Sequence, residues 1–455
     1  MNTPAGAALR PDGAIPKVST TLALTLLVCI NLFNYIDRQV LAAVEPQIRA
    51  DLFPKDASGK EPEHAKSATG WFATAFLLSY IAIAPLFGLL ADRIPRWWLV
   101  GFGVVLWSLA SGASGFHWGV SLASAYWILL ITRCFVGIGE AAYGPVAPAM
   151  IADLFPVAKR GQVMAWFYMA IPVGGALGYA LGGGIVKMFG SWQWAFYSVV
   201  PPGLALGLWC FLMRDPPRGQ TDQVAAGPPR KVTFKDYVFI LKVPSYVFNT
   251  AGMTMMSFAI GGLAFWMPEY LTRREIELQA VNPDATITLF GIEPVTMFGI
   301  ITVLAGMIST ISGGLVGDWL RPRFPGSYFL ISGVGLLLGF PMTLLMLWSP
   351  FPLAWLFIFL TVFFLFFNAG PTNTILANVT HPTMRGSAYA LNILIIHALG
   401  DAISPPLIGW VAGAKHLDRG FILVSLTMVI GGIFWLMGAK YLHRDTELAP
   451  SRTPP

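Results

Sequence analysis

Long apolar runs separated by short polar breaks fill this chain from about residue 20 to residue 440. A helix needs about 20 apolar residues, at 1.5 Å each, to cross the hydrocarbon core of a bilayer. Twelve runs qualify: 20–44, 70–90, 98–116, 123–150, 161–188, 193–213, 245–268, 294–317, 327–348, 353–379, 387–411 and 421–440. Composition agrees. Of 455 residues 55% are hydrophobic and only 11% charged, against about a quarter charged in soluble domains. The chain reads as an all-α membrane protein of twelve transmembrane helices.

The polar breaks repeat. Gly88-Leu89-Leu90-Ala91-Asp92-Arg93, then Arg96, returns 226 positions later as Gly314-Leu315-Val316-Gly317-Asp318-Trp319, then Arg321. Arg160-Gly161 returns as Arg385-Gly386, and Gly175 and Gly184 return as Gly400 and Gly409, all at an offset of 225. A constant offset predicts two pseudo-symmetric six-helix halves, an arrangement that membrane proteins use to move solutes between the halves. Residues 214–242 carry Pro216-Pro217, Gly219, Pro228-Pro229 and six basic residues. They read as a cytoplasmic linker. The expected units are thus 1–213, 214–242 and 243–455, each half with a short cytoplasmic tail.

Charge sets the expected orientation. With the amino terminus inside, inner segments hold 18 Lys/Arg and outer segments nine, with Arg38 and Arg133 inside helices. This bias places both termini in the cytoplasm. It also accounts for the net charge of +6 without nucleic acid. The first apolar run is too long for a signal peptide and reads as an uncleaved helix. Short loops and the lack of extra domains point to a bacterial protein of the inner membrane, and a monomer is expected. Cys29, Cys134 and Cys210 fall in helices, without disulfide or metal spacing. No cofactor or metal is expected.

The duplicated breaks have a mechanical reading. Asp92 and Asp318 can accept from the amino-terminal N–H groups of neighbouring helices. Arg93, Arg96 and Arg321 can pair with acids such as Asp153, and Arg160 and Arg385 repeat on the same face. Together they form a candidate gate. The alternative is that they only satisfy the positive-inside rule.

Ionisable residues inside the bilayer cost about 2.5–3.5 kcal/mol at a helix centre and so need a reason. Asp37 and Arg38 lie in the first helix, Arg133 and Glu140 in the fourth, His397 and Asp401 in the eleventh. At 1.5 Å per residue, Asp37 and Arg133 both sit roughly 10 Å below the outer face. The four residues of the first half are expected to line one polar cavity. A static clip between the two helices, or a hydrated Asp37 at the outer interface, would serve as well. His397 and Asp401 share a helical face as i and i+4 and can pair structurally or functionally. The second half offers Trp266, Asn368, Thr372 and Asn373 but no charge in its seventh and tenth helices. Six phenylalanines, from Phe357 to Phe367, enrich the tenth. One charged wall facing one oily wall suits an amphipathic substrate.

The Gly88–Arg96 stretch and its copy at Gly314–Arg321 resemble the loop motif of the major facilitator superfamily. Asn34-Tyr35-Ile36-Asp37-Arg38, Arg133 through Ala141, Ala147-Pro148, Asp153-Leu154-Phe155 and Phe167 through Pro172 resemble the spinster family of lipid transporters. The match is denser before residue 240 than after it. The resemblance implies proton-coupled, alternating-access movement of a lysophospholipid or sphingoid phosphate. Under it Arg38 meets the anionic head group. Arg133, Asn34, Trp266, Asn368, Asn373 and His397 are further candidates for substrate contact, and Asp37 and Glu140 serve proton coupling. The Asp-Arg pair and the Arg-x6-Glu spacing are also similar to the anion:cation symporter family, which implies a small organic anion carried with protons. An intramembrane lipid-modifying enzyme is the remote alternative. It lacks support from paired histidines, metal spacing or a Gly-x-Ser-x-Gly elbow.

Overall fold

The structure, a computed structural model, describes residues 19–56, 62, 65–116, 119–222, 233–412 and 417–452. The polar amino-terminal stretch, Pro228-Pro229 and the basic residues Arg10, Lys17, Lys60, Arg230, Lys231 and Lys415 lie outside them. Six helices form the first half: α1 Thr20–Leu52, α2 Ala65–Ala91, α3 Arg96–Ser114, α4 Leu122–Leu154, α5 Arg160–Phe189 and α6 Gln193–Cys210. Six more form the second: α7 Pro244–Val281, α8 Pro294–Leu320, α9 Ser327–Trp348, α10 Leu353–Val379, α11 Pro382–Ala412 and α12 Leu417–Gly438. All but the 18-residue α6 are long and apolar enough, by length and composition, to cross a membrane.

Helix starts follow local chemistry. The Ser19 and Ser121 side chains accept from the first turns of α1 and α4, and Pro244 and Pro294 open α7 and α8. Gly190, at φ +68°, ends α5 in the left-handed conformation. Two helices outrun their apolar stretches. α1 continues to Leu52, with Arg49 beside Glu45 at 3.2 Å, and α7 continues to Val281, with Arg273 donating to Glu269 at 2.6 Å. Pairs at i and i+4 support a helix that has left the apolar layer.

Four helices are interrupted, in pseudo-equivalent pairs. α4 breaks over Ala142–Pro145 and α10 at Phe367-Asn368; α5 breaks at Met169, and α11 carries a π turn over His397–Asp401. Interrupted helices are where membrane transporters place ligand groups.

Within the first half, Gly174, Gly178 and Gly182 of α5 meet the Leu32–Ala43 stretch of α1. The halves themselves touch along α2–α11 and α5–α8. At these crossings Gly88 faces Ala390 and the Gly386 carbonyl, while Gly314 faces Ala165 and the Gly161 carbonyl. A Cβ on Gly88 would lie 3.0 Å from the Gly386 oxygen, and one on Gly314 2.6 Å from the Gly161 oxygen. Both contacts need a bare backbone. Large apolar side chains such as Trp127, Leu208, Phe265 and Trp410 are exposed on the helices, as a lipid-facing surface requires.

Candidate functional site

Between the halves, Arg38 of α1 reaches Glu140 of α4. Its Nε donates to Glu140 Oε2 at 2.6 Å and its Nη2 pairs with the same oxygen. Glu140 is buried, whereas the Arg38 side chain is 25% exposed. Three aromatic rings enclose the guanidinium: Phe76 at 4.9 Å, Tyr35 at 5.1 Å and Tyr80 at 5.6 Å from ring centre to Cζ. Such rings favour a partly desolvated cation. Glu140 Oε1 and the nearby Asn34 Nδ2 are buried and find no hydrogen-bond partner among the described residues.

The second half closes on this pair from α11. His397 Nδ1 lies 2.8 Å from Asp401 Oδ2, and the His397 ring packs edge-on against Tyr80 at 5.8 Å. Tyr80 therefore touches charge-bearing groups of both halves. The π turn sets this geometry, because it shifts the register of α11 at the point where the two side chains emerge.

Asp37 and Arg133 sit elsewhere. Asp37 accepts from Ser111 of α3; Arg133 donates to Ser114 Oγ at 2.6 Å and stacks over Phe196 of α6 at 5.2 Å. Ser111 stands between the two, and both are buried. The four charges expected to line one cavity thus divide into two bonded sets, Arg38 with Glu140 and Asp37 with Arg133 through the α3 serines, close enough to act on one another. Adjacent residues point about 100° apart around a helix, so Asp37 turns into its own half as Arg38 turns toward the other.

The neutral candidates also separate. Asn373 accepts from Tyr168 of α5 at 2.8 Å, which links the halves. Trp266 donates to the Pro405 carbonyl at 3.0 Å and ties α7 to α11. Asn368 is fully buried at the α10 break and donates to Leu365 O at 3.1 Å. All six phenylalanines of α10 are half-buried. Phe366 lines an apolar cavity with Leu263, Met267, Phe298, Ile358 and Leu365 in the second half.

The face of the bundle at which α1 begins and α12 ends is closed. Asp92 accepts from Gly386 N at 3.2 Å, Ser387 N at 2.9 Å and Ser387 Oγ at 2.7 Å. Asp318 repeats this on α5, accepting from Gln162 N at 2.8 Å and from the Tyr328 hydroxyl. Asp153 pairs with Arg96 of its own half and Arg385 of the other. Arg160 Nη1 donates to Asn378 Oδ1 at 2.8 Å, again across the halves. Arg93 is exposed, and Arg321 caps α8 near Asp318.

Burial pushes the Asp92 carboxyl up to about 6, against the hydrogen bonds from Ser387 and the nearby Arg218. Opening this face would wet Asp92 and return it to roughly 3.9. The raised value favours the closed arrangement fully below that ordinary value, and the benefit is lost as pH rises through 6. The closed population is expected to be about tenfold more favoured at pH 5 than at pH 7 from this group. Spin-label distances between Ala158 and Arg323 read it, and Asp92→Asn should remove that share of the pH dependence.

Sequence reasoning missed the cage and the serines. Tyr35 was legible as the i−3 neighbour of Arg38, but nothing local announces that Phe76, Tyr80, Ser111 or Ser114 would meet these charges.

The Major Facilitator Superfamily model matches residues 27–405. Protein spinster homolog 3 of Danio rerio is 33% identical over 465 residues, covering 97% of this chain and 90% of that protein. The sphingosine-1-phosphate transporter SPNS2 of Xenopus tropicalis is 31% identical over 464 residues, covering 98% and 86%. A solved bacterial homolog of the human lysosomal transporter spinster, inward-facing and unoccupied, matches with a TM-score of 0.56 at 20% identity, covering 97% and 100%. The chain is a multi-pass membrane transporter and belongs to the spinster family of the Major Facilitator Superfamily.

Proposed function

We propose that this transporter moves an amphipathic anionic lipid, of the lysophospholipid or sphingoid-phosphate type, coupled to protons by alternating access. The observation that carries the reading is the Arg38–Glu140 pair, with Arg38 a quarter exposed and held in an aromatic cage whose Tyr80 meets His397 of the other half. An anionic head group competes with Glu140 for the guanidinium, and protonation of Glu140 releases Arg38 to it. Substrate and proton then occupy the site together. The apolar cavity beside Phe366 gives an acyl chain a place in the second half. His397 and Asp401 bring a second titratable pair to the same space.

Asp37 and Arg133 hold α1, α3 and α4 in register around the site. Asp92, Asp153, Arg160, Asp318 and Arg385 close the face at which α1 begins and α12 ends, which we assign to the cytoplasm on the bias of 18 basic residues to nine. The protein works as a monomer in the inner membrane of a cell.

Thermal shifts with lysophospholipids, sphingoid phosphates and short sugar acids test the substrate class. Long-chain anions are expected to stabilise the purified protein, and Arg38→Ala to cut that effect at least tenfold in apparent affinity. Stabilisation by short acids alone would overturn the lipid reading in favour of a small-anion symporter.

A further inference from the structure

At the closed face the two halves repeat each other with one difference. Arg160 opens α5, and Arg385 holds the same place in α11, 225 positions on. Arg160 Nε donates to Ala152 O at 2.9 Å and Arg385 Nε to Ala377 O at 3.0 Å, acceptors again 225 apart. Each guanidinium then reaches into the other half. Arg385 finds the carboxylate of Asp153, and Arg160 finds the amide of Asn378. Positions 153 and 378 are the same place in the two repeats. One carries a charge where the other carries none.

The membrane helices therefore bring three guanidinium groups, Arg96, Arg160 and Arg385, to a connected cluster with a single carboxylate, Asp153. All four side chains are 3% exposed or less. Two uncompensated positive charges buried together oppose closure. The segment after α6 supplies two carboxylates to these arginines, while its own Arg218 lies 3.5 Å from Asp92. Asp222 lies 2.8 Å from both Arg160 Nη2 and Arg385 Nη2, and so bridges the halves. Asp215 accepts from Arg96 N at 3.0 Å and lies 3.5 Å from its Nε. Between them, Gly219 N donates to Asp153 Oδ1 at 2.9 Å, so the segment lies inside the cluster and not over it.

We propose that Asp215–Asp222 is an intramolecular latch, in which Asp222 stands in for the carboxylate missing at position 378 and must leave before this face can open. The latch holds the closed arrangement whatever substrate is carried. Its test needs no ligand, so its failure is separable from failure of the lipid reading.

Spin labels at Ala158 and Arg323, with Cys29, Cys134 and Cys210 replaced by alanine, report the separation of the halves at this face. Asp222→Asn is expected to raise the open population at least tenfold, and Asp222→Glu to leave it near that of the parent. Adding Asn378→Asp to Asp222→Asn should restore the closed distribution, because the helices then carry their own second carboxylate. This double variant also covers the case in which Asp222→Asn alone yields no folded protein. An unchanged distribution in Asp222→Asn, or no rescue by Asn378→Asp, overturns the latch.

Discussion

Glu140→Gln is expected to reduce gradient-driven transport at least a hundredfold while leaving anion binding measurable and less dependent on pH. The amide keeps the shape of the side chain and can still accept from Arg38, so the pocket persists. It cannot take up or release a proton. In the parent an anion must displace a carboxylate that holds Arg38 through two nitrogens. In the variant that competitor is neutral, and affinity at neutral pH should rise about tenfold, equivalent to roughly 1.4 kcal/mol. Proteoliposome uptake of a labelled lysophospholipid under a pH gradient measures the first effect, and binding titrations across pH 5.5–8 the second. Uptake equal to that of the parent under the same gradient removes Glu140 from coupling.

Asp153→Asn carries the second large effect. The Asp153 carboxylate is fully buried, pairs with Arg96 and Arg385, and accepts from the Gly219 backbone. Breaking a buried pair by removing one partner costs about 3–5 kcal/mol, and the amide recovers part of this through hydrogen bonds. A net loss of about 3 kcal/mol shifts the closed-to-open ratio roughly a hundredfold. The Ala158–Arg323 distance distribution should move to its longer component, and net transport should fall because the return of the closed state becomes rare. A distribution like that of the parent would mean that Asp153 does not hold the face shut.

Most of the architecture was legible because membrane helices announce themselves by length. All twelve runs became helices, and the repeat singled out Gly88, Gly161, Gly314 and Gly386, although which of them meet, Gly161 with Gly314 and Gly386 with Gly88, was not legible. Where α1 and α7 end was not legible, since their last turns rest on Arg49–Glu45 and Arg273–Glu269 pairs beyond the apolar runs. The split of Asp37 from Arg38 was foreshadowed by their 100° separation, but the serines on α3 that receive Asp37 and Arg133 could not be read from α1 or α4 alone. The π turn has no marker in sequence, because His-Ala-Leu-Gly-Asp would continue an ordinary helix equally well. Asp215 and Asp222 were hidden for a different reason: a Pro- and Gly-rich connector reads as a tether, and only its path through the arginines gives its acids a task.

The bare crossings at Gly88 and Gly314 have a kinetic corollary. Where main chain slides on main chain, no bulky group has to leave one groove and find another, so parting the halves there meets little steric friction. Parting this face then costs chiefly the polar fastenings of Asp92, Asp153, Arg160, Asp318 and Arg385, a few charges and not the oily bulk of the bundle.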